Sequence, residues 1–154
     1  MLDVETVRHL VMDAVPFNRV LGVQVESVEP ERVTVILPES PERLNHVGTT
    51  HAAAQFGLGE ATAGTMTLLA FSDLQRQGYA PVVTDATVSY RKPARGELRG
   101  EATLSAEEQA RVRSEIAAGR RPRFAIEVRL SDQQGNTTTE LRFEWALLVP
   151  HGRA

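Results

Sequence analysis

Cysteine is absent from the 154 residues, which removes disulfide frameworks, CxxC redox sites, cysteine nucleophiles and thiolate metal sites together. Aromatic residues are scarce: 5 Phe, 2 Tyr and 1 Trp leave the core to Val, Leu, Ile and Ala, which suits a β-rich or mixed fold. Lysine is nearly missing, with Lys92 the sole lysine among 17 cations. A basic excess is missing too. The net charge of −3 argues against a surface built to coat nucleic acid or anionic lipid. The longest uncharged stretch near the middle, residues 61–72, falls well short of the ~20 residues that span a bilayer. The start, MLDVETVRHL, places acids before any apolar stretch and lacks the basic segment of a signal peptide. The expectation is a cytoplasmic protein with neither membrane nor nucleic acid as partner.

What is present fits one folded domain over residues 1–154, with 42% hydrophobic and 24% charged residues. Val4, Val7, Leu10, Val11, Ala14 and Val15 recur at helical spacing after Asp3, a good N-cap, and Pro16 ends the run, so residues 1–15 read as an N-terminal helix. From Leu21, alternation through Val23 and Val25, a Glu-Pro-Glu turn at 29–31, and renewed alternation through Val33, Val35 and Leu37 predict a hairpin. A long helix is expected from Thr49 or Thr50, either able to cap it. It contains Gly57, Gly59 and Gly64, each costing about 1 kcal/mol relative to Ala, so it reads as deeply buried, with something approaching it closely. Strands follow at 82–90, 98–104 and 124–130 and in the alternation from Leu141 to Val149. Ser105-Ala-Glu-Glu opens, and Gly119 closes, a helical insertion over 105–120 between neighbouring strands. The order of elements is α+β, without βαβ alternation.

No GxSxG elbow, P-loop, dinucleotide fingerprint or HExxH occurs, and His46 and His51 are spaced off any common helical face. No metal and no cofactor are expected. The informative polar residues surround the start of the long helix. Glu60 lies among Gly57, Leu58, Gly59, Ala61 and Ala63, where a carboxylate is expensive to bury unless it is paired, neutralised or used. Ala52 and Ala53 would present backbone N–H groups at a helix N-terminus, which favours developing negative charge. Glu60 follows Ala52 by eight residues, about 12 Å along one helix. Groups that far apart cannot share one reacting centre, so cooperation between them requires a second subunit.

Asn45, His51 and Glu60 match, in type and spacing, an Asn, six-residue gap, His-Gly-Gly and later acid pattern, and residues 88–98 (VSYRKPARGEL) match the strand and turn that follow it. In these features the chain resembles the PaaI-like acyl-CoA thioesterases of the hotdog fold over about residues 15–149. The resemblance implies a long central helix wrapped by a curved antiparallel sheet, and a homodimer or dimer of dimers with its sites at the subunit interface. It implies acyl-CoA as substrate. Glu60 would activate water or attack the thioester carbonyl itself, the Ala52 N–H would hold the oxyanion, and Asn45 would orient the nucleophile or the carbonyl. His51 would shape the helix start, with Ala53, Thr84 and Arg91 on the substrate side.

The chain departs from that family at two places. Ala52-Ala53 stands where the family has Gly-Gly, keeping the donors but adding methyl groups, and Val83 aligns with a serine of some relatives while Thr84 beside it faces the other way. A non-catalytic hotdog protein that binds acyl-CoA is the alternative. A hotdog dehydratase would carry His-Phe-Pro or Gly-Asp-x-Asn-Pro, and neither occurs. Arg111, Arg113, Arg120, Arg121 and Arg123 read either as a dock for coenzyme A phosphates or as a solvated insertion, and Arg91, Lys92 and Arg95 are equally open.

Overall fold

A computed structural model describes residues 2–149, so residues 1 and 150–154 of the expected domain lie outside the described part. Helix α1 (Val4–Ala14) begins where Asp3 accepts the N–H of Thr6 at 2.8 Å. Pro16 ends α1 but also starts α2 (Pro16–Leu21), where its fixed φ suits the first helical position. Gly22 closes α2 in the left-handed region at φ 77°, donating its N–H to Asn18 O. The first strand therefore starts three residues later than the alternation from Leu21 suggested.

Strands β1 (Gln24–Glu29) and β2 (Arg32–Leu37) form the expected antiparallel hairpin. A single 3-10 turn (Pro41–Arg43), helix α3 (Ala52–Arg76), β3 (Ala80–Tyr90), β4 (Leu98–Thr103), α4 (Ala106–Ala117), β5 (Arg123–Ser131) and β6 (Thr137–Leu148) follow. The six strands form one antiparallel sheet in the order β1-β2-β4-β5-β6-β3, so β1 and β3 are its edges. Ser105 Oγ accepts the N–H of Glu108 at the start of α4, which bridges the neighbouring strands β4 and β5.

Strand periodicity sets the two faces of the sheet. Phe124, Ile126, Val128 and Leu130 of β5 and Leu141, Phe143, Trp145 and Leu147 of β6 are buried against α3. Glu127, Arg129, Glu140 and Arg142 point to the opposite face, where Arg129 pairs with Glu101 at 2.6 Å and Arg142 with Glu127 at 3.2 Å.

Two of the glycines in α3 meet the close approach foreseen. An added Cβ at Gly59 would lie 2.7 Å from Leu141 Cδ2, and one at Gly57 would lie 2.7 Å from Leu21 Cδ2. The buried threonines of α3 return their hydroxyls to the preceding turn: Thr62 to Leu58 O, Thr65 to Ala61 O and Thr67 to Ala63 O, at 2.6 to 2.9 Å. No buried hydroxyl on this helix then needs a partner from the sheet.

Candidate functional site

The start of α3 is held from two directions. Thr50 donates its N–H to Ala94 O at 2.8 Å and His51 donates its N–H to Arg43 O at 2.7 Å. Both Thr49 and Thr50 are buried in the loop, and the helix is capped by His51, not by either of them. His51 Nδ1 accepts the N–H of Ala53 at 3.0 Å. The Ala52 N–H donates to no group among the described residues. Of the two alanines at the helix start, Ala52 alone keeps an open donor.

Asn45 builds the loop before the helix. Its Oδ1 accepts the N–H groups of Val47 and Thr49, both at 3.1 Å, and its Nδ2 donates to Thr49 Oγ1 at 2.8 Å. One hydrogen of the amide remains. Asn45, Ala52 and Arg91 line one open groove of about 470 Å³ together with Tyr90, Lys92 and Arg95. Arg91 pairs with Glu140 at 2.7 Å, Arg95 donates to Gly48 O at 2.9 Å, and Lys92 reaches Asn136 Oδ1 at 3.4 Å.

Of the residues lining this groove, Tyr90 is already part of the 88–98 match, and Gln55 is one that spacing did not reveal. Tyr90, on the edge strand, donates its hydroxyl to Ala52 O at 3.1 Å. Gln55, buried one turn into α3, donates to Thr50 O at 2.9 Å and accepts from Thr139 Oγ1. The sequence hint is an amide among Ala, Phe and Gly in the first turns of the helix.

Glu60 lies elsewhere in the chain. It is half-buried and has no hydrogen-bond or ion-pair partner among the described residues, and burial pushes its carboxyl above the ordinary glutamate range. It opens onto a cavity of about 170 Å³ walled mainly by Leu10, Val15, Leu68, Pro81 and Trp145, with Asn18, Thr65 and Gln75 also in its lining, beneath α1 and the start of α2. His51 and Ala53 line a third groove beside Phe17 and Val20 of α2. Thr84 lies at a bulge in β3, where its hydroxyl donates to Glu144 O at 3.3 Å, and it lines none of these three spaces.

One chain therefore brings together Asn45, Ala52 and Arg91 but keeps Glu60 apart from them. The arginines of the insertion are partly engaged in the structure. Arg111 holds Glu108 and Glu115, while Arg113 holds Asp73 at 3.0 Å and lies over the Phe71 ring. Arg120, Arg121 and Arg123 are exposed. Among the described residues no three acids or histidines gather as metal ligands, and no helix is long and apolar enough to cross a membrane.

Residues 4–147 match the family model described as Domain of unknown function (DUF4442). A solved structure from Pseudomonas aeruginosa, described as a protein of unknown function and probable thioesterase, is 30% identical, covers 95% of each chain and has a TM-score of 0.83. The PaaI protein of E. coli, from the phenylacetic acid degradation operon, is 15% identical over 92% of this chain and 91% of its own, at a TM-score of 0.70. A thioesterase enzyme of Staphylococcus aureus, solved as an alanine variant of its glutamine 32, is 12% identical over 88% of this chain and 100% of its own, at a TM-score of 0.69. The same S. aureus protein has also been solved as an alanine variant of its glutamate 47. No curated protein matches the sequence. With its long central helix on a six-stranded antiparallel sheet, the chain has the hotdog fold of these structures and belongs to the DUF4442 family.

Proposed function

We propose that this protein hydrolyses an acyl-CoA thioester to the free acid and coenzyme A, working as a homodimer or a dimer of dimers. The observation that carries the reading is the Glu60 carboxylate, half-buried, without a partner among the described residues and opening onto a mostly apolar cavity. A structural carboxylate at that depth would be paired. The open N–H of Ala52 supplies the complementary feature, a donor at a helix start facing a groove with three cations, but about 12 Å away on the same helix.

A second copy of the chain resolves that distance. Strand β3 is an 11-residue edge with its outer side unpaired, and such an edge is a template for another strand. Exposed Val83 and Tyr90 on β3, and Phe17 and Val20 on α2, supply apolar surface for the contact. Glu60 of one copy then works on a carbonyl whose oxygen is held by Ala52 of the other. The alanine variants of the S. aureus thioesterase lie at a glutamine and a glutamate 15 positions apart, and Asn45 and Glu60 have the same separation here.

In the general-base route, Glu60 takes a proton from water as the water oxygen bonds to the carbonyl carbon, and the oxyanion forms against Ala52 N–H. The C–S bond then breaks, and the sulfur leaves with the proton returned by Glu60. In the nucleophilic route, Glu60 displaces the thiolate directly, and water opens the resulting anhydride. Both routes give the same acid and thiol.

A panel of acyl-CoAs with a thiol-trapping reagent tests the reading. Thiol release that falls by about 10² or more in Glu60→Ala supports it, and undiminished release overturns Glu60's part. Binding of acyl-CoA with no thiol release would make the protein an acyl-CoA binder.

A further inference from the structure

Gly64 is the glycine of α3 that packing within the chain does not require. An added Cβ there would meet only Trp145 Cη2, at an ordinary contact distance of 3.7 Å, whereas Gly57 and Gly59 face side-chain atoms at 2.7 Å. Alanine suits a helix interior better than glycine. The space above Gly64 therefore needs another reason, and its position supplies one. Gly64 follows Glu60 by one helical turn on the same face, and both line the cavity of about 170 Å³ under α1.

We infer that this cavity seats the acyl group of the thioester, with Gly64 as its floor, and that it selects short acyl chains or a single aromatic ring. The inference rests on the thioesterase reading above. Leu10, Val15, Leu68 and Trp145 give most of the wall a hydrocarbon surface that suits an acyl group, and Asn18, Thr65 and Gln75 supply its polar part. An apolar cavity of about 150 Å³ holds a benzene ring, so about 170 Å³ holds roughly six carbons. Pockets for larger ligands start at about 300 Å³.

The test compares wild type, Gly64→Ala and Gly64→Leu on acetyl-, hexanoyl-, benzoyl- and decanoyl-CoA, with binding of the same ligands measured in a Glu60→Gln background. In the wild type, kcat/KM should climb to about six carbons and fall at decanoyl. Gly64→Leu should lower the hexanoyl-to-acetyl and benzoyl-to-acetyl ratios about ten-fold or more. Gly64→Ala should raise the melting temperature while lowering the same ratios less. Equal loss on every acyl length, or dissociation of the oligomer in Gly64→Leu, overturns the inference, because the space would then belong to general packing or to the second copy. Ligand binding in the Glu60→Gln background separates the two claims. Chain-length selection that shows in binding and disappears in Gly64→Leu upholds the cavity even where no thiol is released, and thiol release without such selection overturns the cavity while leaving the thioesterase reading intact.

Discussion

His51 Nδ1 accepts the N–H of Ala53 at 3.0 Å, and this bond decides which donor at the head of α3 is open. With Ala53 engaged, the open backbone donor at the helix start is Ala52, which lines the groove and stands in place of the first glycine of the resembling pattern. The added methyl of Ala52 leaves its N–H untouched.

Ala52→Pro isolates that N–H from the fold. Proline is tolerated at the first helical position, and His51 already has φ −58° and ψ 141°, the extended conformation that a residue before proline prefers. The variant is expected to keep its melting temperature within a few degrees while thiol release falls about 10² to 10³. Full activity in a folded Ala52→Pro would remove Ala52 from the mechanism.

His51→Ala and His51→Ser separate capping from chemistry. Loss of the cap in His51→Ala should cost about 1 kcal/mol in denaturant unfolding, and serine, an efficient cap, should recover most of it. Activity that follows stability across the pair assigns His51 to the helix start. Activity lost in both, with stability restored in His51→Ser, assigns it to the substrate.

Glu60 gives a pH signature. Its pKa is raised in the folded state, so the favourable contribution of the protonated form is present below the unfolded value of about 4.5 and is lost as pH rises through the folded pKa. At neutral pH the ionised, half-buried carboxylate opposes folding. Glu60→Gln should therefore melt at a higher temperature than wild type at about pH 7 to 8, and the gap should close as pH approaches 4.5. A difference independent of pH across that window would mean that a partner neutralises the carboxylate. In kinetics, kcat/KM should rise with pH along a limb centred above 4.5, and Glu60→Gln should show no such limb.

The sheet, the hairpin and the inserted helix α4 were legible because each rests on local chemistry: period-two alternation, a Glu-Pro-Glu turn, and a Ser105 cap bonded only three residues away at Glu108 N. The six-residue helix α2 was not, because it is too short for periodicity to register and Pro16 serves equally as a stop and as a first helical residue. The head of α3 was misplaced for a tertiary reason. Ala94 O, 44 positions along the chain, takes the N–H of Thr50 and holds it in the loop, leaving His51 as the cap. Gln55 went unremarked because its partner, Thr139 Oγ1, lies 84 positions away, and Tyr90, though part of the 88–98 match, gave no sign of its bond to Ala52 O, 38 positions away. Glu60 was legible, since a charge among small apolar residues is conspicuous in the order of the residues alone.

Asn45 admits a sharper test than its motif position allows. Its Oδ1 holds two loop N–H groups and its Nδ2 holds Thr49, leaving a single amide hydrogen for any substrate. Asn45→Asp keeps both acceptor bonds and loses the donor, whereas Asn45→Ala loses all three. The alanine variant is expected to lose about 1 to 3 kcal/mol in denaturant unfolding through its stranded backbone groups, and the aspartate variant well under half of that. Thiol release in Asn45→Asp then decides the role. Near-normal release with near-normal stability makes Asn45 a residue that positions the loop ahead of Ala52. A large loss of kcat in a stable Asn45→Asp variant instead assigns the remaining amide hydrogen to the thioester or its attacking water.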